Sequence, residues 1–397
     1  MKRNLLLLAL CQGLFLTNNI SFIAINGLVG LSLAPVGWLA TLPIMSYVIG
    51  SALLAGPVAH VHARLGRQKS FMIGALIAVI AAMICVLAVQ TRNFALLILG
   101  TFISGFYQAN GQLYRFVAAE ISTESLREKA VSWVLAGGLL GAIAGPNIAT
   151  ATKNLMSADF AGSYLALALV GLVAIAVLSQ INFPDHIDER GGSVTNISAV
   201  DLLRRPAFAL ATGIAALSYG VMNLLMAATP LAMNMCNYSF NKTALVLEWH
   251  VIAMFAPGFF TGHLIRRFGS ISVMLAGAAL YLICIGIAVS GDSVTHFFVA
   301  LFCLGLGWNL LFTASTTLAL KSYSKNERDK AQAIINASIF VVMAFTALGS
   351  GALVIGLGWT ALSLGSIFPT AIIIGSIALF LIYRRKIEAL NPKDSPH

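Results

Sequence analysis

Twelve apolar stretches follow one another along this chain, each close to the roughly 20 residues that a helix needs to cross a bilayer. They run approximately over 5–31, 37–61, 70–90, 94–117, 130–151 and 160–182, then over 206–233, 243–265, 270–290, 295–320, 331–355 and 358–383. Inside hydrocarbon every backbone polar group must be satisfied by the chain itself, so stretches of this length are expected to be helices. One long polar interval, 183–205, separates six stretches from six; it holds Asp185, Asp188, Glu189, Arg190, Gly191, Gly192 and Asp201. The division is therefore 1–182, a linker at 183–205, a second half at 206–384 and a tail at 385–397. Of the 397 residues 59% are hydrophobic and 10% charged, whereas a soluble domain carries about 25% charge. The expected fold class is an all-α membrane protein of twelve transmembrane helices without a sizeable soluble domain.

The N-terminus, Met1-Lys2-Arg3-Asn4 followed by Leu5 to Cys11, resembles a signal peptide. Its apolar pattern continues to about Leu31, however, and Leu10 stands where a small residue should precede a lipid-modified cysteine. It is read as a retained first membrane helix. The five cysteines, at 11, 85, 236, 284 and 303, have no metal-ligand spacing and predict neither a metal site nor a disulfide framework.

Charge placement sets the orientation. With the N-terminus in the cytoplasm, twenty of the 24 Lys and Arg residues fall on the cytoplasmic side. Arg92, Lys153 and Lys242 fall on the other side, and Arg115 alone lies inside a span. Cytoplasmic loops carry the excess of Lys and Arg, so both termini are expected inside. The same placement accounts for the formal charge of +10 without a nucleic-acid partner.

Polar residues inside the spans mark where the helices face protein or water. Ser104, Gln108, Gly111, Gln112 and Arg115 fall on one helical face of the fourth span. Gln12, Asn19 and Asn26 recur at heptad spacing in the first span, with Asn18 beside them. Tyr219, Asn223 and Met226 form a stripe in the seventh, and Asn309, Thr313 and Thr316 one in the tenth. Such stripes either line a cavity or join helices by hydrogen bonds. Taken as a lining they offer amides, hydroxyls, the aromatic faces of Tyr107, Tyr114, Tyr219 and Trp308, and one cation. That chemistry suits an amphipathic organic solute. Arg115 either binds an anionic group of the solute or has a structural role, snorkelling or bonding Glu120.

Glu248 and His250 are the ionisable pair of the eighth span, roughly 8 to 11 Å in from its outer end at 1.5 Å per residue. Intramembrane acids and histidines are suited to carrying protons. Their spacing puts them about 200° apart on the helix, so they are not expected to touch. The other reading is an interfacial Glu-Trp-His belt anchored by Trp249. His60 and His62 flank a cytoplasmic loop and are expected to be solvated.

The second half repeats the first. Arg127-Glu128-Lys129-Ala130 matches Arg328-Asp329-Lys330-Ala331 at an offset of 201, and Gly105-Phe106 matches Gly307-Trp308 at 202. Arg64-Leu65-Gly66 matches Arg267-Phe268-Gly269 at 203. Six spans is an even number, so both halves enter the membrane from the same side and the repeats are parallel.

On these residues the chain resembles the major facilitator superfamily over essentially its whole length. Ala59 to Lys69, with Arg64, Gly66 and Arg67, resembles the superfamily's signature between helices 2 and 3, although Ala59 and Ala63 replace its usual Gly and Asp. Gly141-Ala142-Ile143-Ala144-Gly145-Pro146 resembles the helix 5 signature of antiporters, and the helix 4 arginine of drug exporters is absent near Thr101. The resemblance implies a bacterial inner-membrane protein whose helices 1, 4, 7 and 10 line a central cavity. It also implies that helices 5 and 8 cross between the halves. The loops bearing Arg64, Gly66, Arg67, Arg267 and Gly269 should latch the cytoplasmic side, here more weakly or by other groups because Ala63 replaces the Asp. Gly137, Gly138, Gly141 and Gly145 should let helix 5 approach a neighbour closely.

No HExxH, GxGD, nucleophile-elbow or Walker A pattern is present, so neither enzyme chemistry nor direct use of ATP is expected. The expectation is a monomeric secondary transporter of a small organic solute, coupled to protons, with lipid and solute as partners and no cofactor. Efflux antiport and a non-transporting nutrient sensor on the same fold are the alternatives.

Overall fold

The structure, a computed structural model, describes residues 2–122, 127–183 and 198–390. Within them it is built of α-helices: α1 (Lys2–Leu33), α2 (Leu42–Gln90), α3 (Phe94–Gly111), α4 (Tyr114–Glu120), α5 (Arg127–Thr152) and α6 (Ala161–Leu178) precede the linker. After it come α7 (Ala199–Leu203), α8 (Pro206–Met235), α9 (Phe240–Phe255), α10 (Gly258–Ser290), α11 (Val294–Leu320), α12 (Arg328–Gly365) and α13 (Ile367–Leu390). Most of the expected linker, Arg190 included, lies outside the described residues, as does the tail beyond 390.

Among the described residues, seven helical stretches are long and apolar enough to cross a membrane. Two of them, Gly37–Gln90 and Lys330–Lys386, run for 54 and 57 residues, more than twice the length of about 20 that one crossing needs. Each is broken internally by a glycine. Gly66 in α2 has φ 77° and ψ 171°, and Gly358 in α12 has φ 86° and ψ 170°. Gly269 breaks α10 in the same way, with φ 80° and ψ 157°. An L side chain rarely adopts such φ values, so these positions favour glycine. Gly66 and Gly269 are the partners of the sequence repeat, so matching loops share one backbone conformation.

Packing follows the same parallel. In the first half α1 lies along α5, and α2 packs on α3 and α6; in the second α8 lies along α12, and α10 packs on α11 and α13. N-caps match as well: Asn93 accepts from Leu96 N at the start of α3, and Ser293 from His296 N at the start of α11.

The closest approach is that of α1 to α5. A Cβ on Gly137 would strike the carbonyl of Ala9, one on Gly141 would lie 2.5 Å from Gly13 O, and one on Gly145 3.0 Å from Thr17 O. Both helices advance four residues per contact, so the glycines form a flat track on which the backbone of α1 rests. Ser21 adds a hydrogen bond of 2.8 Å from its hydroxyl to Gly145 O. On the outer surface Leu76, Ile80, Met83 and Leu87 of α2, with Leu275, Leu282 and Ile283 of α10, are exposed apolar faces. These are helices expected to meet lipid.

The two halves touch mainly at the end away from the chain termini. There Thr41 Oγ1 donates to Leu348 O (3.3 Å) and accepts from Gly351 N (3.0 Å). Asn147 Nδ2 of α5 donates to Glu248 Oε2 of α9 at 2.9 Å, and Phe160 packs edge-to-face on Phe240. At the terminal end the ion pairs among the described residues stay within each half. Arg67 meets Glu120 at 3.2 Å, and Arg205 meets Glu327 at 2.7 Å. The solvated position expected for His62 is corrected here: it is buried, and its Nε2 lies 3.0 Å from Asn110 Oδ1, because α3 presents that amide to the inner face of α2.

Two predictions follow from this packing. Gly141→Ala should lower the melting temperature in detergent by the equivalent of about 1–3 kcal/mol through overpacking. Gly286→Ala, where the added carbon meets nothing within 4 Å, should leave it unchanged; equal effects would remove the α1–α5 track as the cause. In the Arg205–Glu327 pair, the guanidinium and then the Ser324 N–H hold the Glu327 carboxyl down from 4.5 to about 2. A depressed folded pKa stabilises above the unfolded value and is lost as pH falls through the folded one. The stability difference between wild type and Glu327→Gln should thus be full above about pH 4.5 and fade towards pH 2.

Candidate functional site

Three connected chambers, of about 100, 250 and 210 Å³, occupy the space between the halves. The first and second share Ser51, Gln108, Gln112, Tyr219, Phe340 and Met343; the second and third share Arg115 and Phe312. The second extends towards the terminal end between α2, the α3–α4 junction and α12.

Polar side chains of the lining divide into those already bonded to protein and those left free. Asn19 Nδ2 donates to Tyr47 OH at 2.8 Å and to Gln108 Oε1, which also accepts from Tyr47 OH at 2.9 Å. This triad ties α1, α2 and α3 together on the wall of the first chamber. Asn223 Nδ2 bonds Met343 O and Thr346 Oγ1, both at 3.1 Å, and so joins α8 to α12. Asn309 Nδ2 donates to Met254 O, and its Oδ1 accepts from Thr261 Oγ1, both at 2.7 Å. It thereby bridges the break between α9 and α10, where Pro257 supplies no N–H. Among the described residues, by contrast, the side chains of Gln112 and Asn336 and the Nε2 of Gln108 make no hydrogen bond to protein.

Arg115 lies at the junction of the second and third chambers. Its guanidinium carbon is 4.9 Å from the Phe116 ring centroid, and its Nε is buried without a hydrogen-bond partner. Glu120, the partner considered for it from sequence, is engaged by Arg67 instead. Among the described residues no carboxylate lines any of the three chambers, and Arg115 is the one side chain there that carries a full charge at neutral pH.

An aromatic cluster forms the wall of the second half. Trp308 stacks on Phe312 at 5.2 Å with planes 9° apart, and Tyr219 stands edge-on to both, at 4.9 and 5.1 Å. Phe255 closes the cluster against Trp308 at 6.2 Å. Trp308 Nε1 is buried and unbonded. Thr313 lines the third chamber one turn beyond Asn309.

The stripe expected to run unbroken through the fourth span is interrupted. Helix α3 stops at Gly111 and α4 starts at Tyr114, leaving Gln112 and Leu113 in a turn. Gly111 faces the ring of Phe15 closely, and Leu113 N bonds Asn110 O at 3.0 Å. Irregular backbone at membrane depth is tolerated where it lines a cavity, and discontinuous helices of this kind carry the solute sites of transporters.

The structure brings together Asn19, Gln108, Gln112, Arg115, Tyr219, Asn223, Trp308, Asn309 and Thr313. It separates Asn26 from them: that side chain accepts from Tyr164 OH and joins α1 to α6. Glu248 lies at the Asn147 contact between the halves, outside the chambers. His250 faces α11, with Nδ1 2.6 Å from Leu301 O, and does not meet Glu248. Arg64 and Arg267 are exposed, and Arg67 bonds within its own half. Sequence reasoning missed Tyr47, Ser51, Phe340, Asn336 and Met343, contributed by α2 and α12. Asn336, an amide one turn before Phe340 in an apolar stretch, was the available signal.

A polytopic helical protein with a central cavity at a broken helix, lined by apolar walls and a few unbonded polar groups, has the architecture of a membrane solute transporter. The sequence matches the family model described as Major Facilitator Superfamily over residues 5–256 and 208–397. The chain belongs to the Major Facilitator Superfamily, a family of transporters and not of enzymes, and is a multi-pass membrane protein acting in secondary transport. It is 35% identical over 387 residues to the riboflavin transporter RfnT of Brucella anthropi, covering 97% of this chain and 96% of that one. It is 26% identical over 335 residues to the MFS-type transporter YddS of Bacillus subtilis, covering 79% and 75%. Its fold is like that of the nucleoside transporter NupG, with TM-score 0.72, 12% identity and coverage of 96% and 99%. It is equally like the POT family transporter PepTSo, with TM-score 0.72, 12% identity and coverage of 98% and 99%.

Proposed function

We propose that this protein moves riboflavin across a bacterial inner membrane by alternating access. The observation that carries the reading is the lining of the chambers: a stacked aromatic wall, unbonded amides and a single cation without a counter-charge. It is supported by the likeness to a relative that bears the name riboflavin transporter along nearly its whole length. Riboflavin is a neutral molecule with a flat three-ring head, a carbonyl-bearing edge and a polyhydroxylated tail. The head suits the Tyr219–Trp308–Phe312 wall. Its carbonyls suit the donors of Gln112 and Arg115, and its hydroxyls suit Asn336 and Gln108.

The architecture in this reading is twelve transmembrane helices in two parallel six-helix repeats, 1–182 and 206–384, joined by the linker. Both termini are cytoplasmic, as the distribution of Lys and Arg favours. The chambers then lie open towards the cytoplasm, and Thr41, Asn147 and Phe160 belong to the closed outer end. Proton coupling is assigned to Glu248, because its bond to Asn147 crosses between the halves at the outer end. Protonation that weakens that bond favours opening. The working unit in this proposal is a monomer.

Riboflavin uptake into proteoliposomes and quenching of flavin fluorescence by the purified protein test the reading together. Wild type should do both, and Trp308→Ala should raise KM about tenfold, the loss of one stacking contact. A protein that neither quenches nor moves riboflavin sinks the assignment. Glu248→Gln should abolish uptake driven by a proton gradient while leaving riboflavin exchange intact. An unchanged pH dependence in that variant removes Glu248 from the mechanism.

A further inference from the structure

A fourth cavity, of about 320 Å³, lies at the end away from the termini and shares no residue with the central chambers. It too sits between the halves: Lys153, Asp159 and Phe160 come from the α5–α6 connection, and Asn234, Tyr238 and Phe240 from the end of α8 and the start of α9. Its size is that of a small-molecule site. Only a thin seam divides it from the first chamber. Met226 lines that chamber and Pro230 this cavity, four residues or about 6 Å apart along α8. Around Gly27 the seam is filled by Ile44, Ala227 and Leu231.

Three features set this cavity apart from a passive gap. Its aromatic rings come from both halves, with Phe160 edge-on to Phe240 at 5.1 Å and 81°. Two cations stand over its rings: Lys153 Nζ is 5.0 Å from the Phe160 centroid and Lys242 Nζ 5.2 Å from that of Tyr238. These lysines are two of the three basic residues that the charge distribution assigns to this side. Finally, the backbone is strained at Phe160, with φ 65°. A bulky residue in the left-handed region is rare and persists where its surroundings hold it there. Glycine would take that turn without strain; phenylalanine instead puts a ring across the boundary between the halves.

We propose that this cavity is an outer docking site, where the transported flavin binds before the central chambers open to it. The inference rests on the riboflavin reading. An electron-poor flat ring system stacks on Phe160 or Tyr238, and its carbonyl edge accepts from Lys153 and from the Asn234 amide. Bound there, the solute waits one helical turn from the first chamber, and separation of Phe160 from Phe240 admits it.

The test uses the full chain reconstituted in vesicles sorted by orientation, with Tyr238→Ala and Lys153→Gln compared with wild type for riboflavin transport. Size-exclusion profiles and melting temperatures report on folding. For flux starting at the end away from the termini, each variant should raise KM about tenfold at unchanged kcat. For flux starting at the terminal end, KM should stay at the wild-type value. Wild-type KM from both sides overturns the docking site and leaves the riboflavin reading intact. An equal rise from both sides also overturns it, since the substitutions then act through the fold. A wild type that moves no riboflavin overturns both readings.

Discussion

In hydrocarbon a polar group without a partner is costly, and this structure is arranged around that constraint. Amides buried between helices bond carbonyls, hydroxyls or one another: Asn18 to Leu167 O, Asn110 to Ser70 O, Asn223 to Met343 O, Asn309 to Met254 O, Asn26 to Tyr164. Such interhelical bonds average about 0.6 kcal/mol each, too little to hold a bundle alone. Their effect is to fix which faces meet. Among the described residues, Gln112, Asn336, Gln108 Nε2, Arg115 Nε and Trp308 Nε1 remain unbonded along the central chambers. Other buried hydroxyls, such as those of Ser70, Thr150 and Thr212, are unbonded elsewhere in the bundle.

Close approach of backbones supplies the rigidity that the weak bonds do not. The glycine track of α5 brings the backbone of α1 within van der Waals reach over about two turns, so the Asn19–Tyr47–Gln108 triad is held on a stiff wall. The glycine breaks at Gly66 and Gly269 act differently. They break long helical stretches at a single residue, and they do so with closely similar dihedral angles.

Much of this was legible in the sequence. Apolar length gave the helical class, and the spacing of Arg64-Leu65-Gly66 and Arg267-Phe268-Gly269 marked two loops that share a backbone conformation. Stripe reading found most of the polar lining, because a polar residue in an apolar span stands out. It failed where two polar residues on one face have different neighbours. Asn19 and Asn26 are one heptad apart, yet α1 crosses α2 at the first and α6 at the second. It failed again at Gln112–Leu113, where a helix yields to tertiary packing against Phe15. Apolar cavity residues such as Phe340 and Met343 carry no signal, since a methionine facing a solute and one facing a helix look alike. His62 was misplaced because its partner, Asn110, lies 48 positions away.

Ala63 bears on how the two ends differ. With no Asp in that loop, Arg67 has a partner in its own half, Glu120, and Arg205 is likewise taken by Glu327 in the other. These two pairs thus lie each within one half, and separating the halves there breaks neither. At the far end the contacts across the boundary are of another kind: two hydrogen bonds at Thr41, one at Asn147 and one pair of rings. Each is individually weak, and each can be replaced by water or solute when the end opens. A structure shut by several small contacts at one end, with its ion pairs internal at the other, can change sides without ever exposing an unpaired charge from those pairs. Arg115 is the exception: its Nε stays buried without a hydrogen-bond partner at the junction of two chambers.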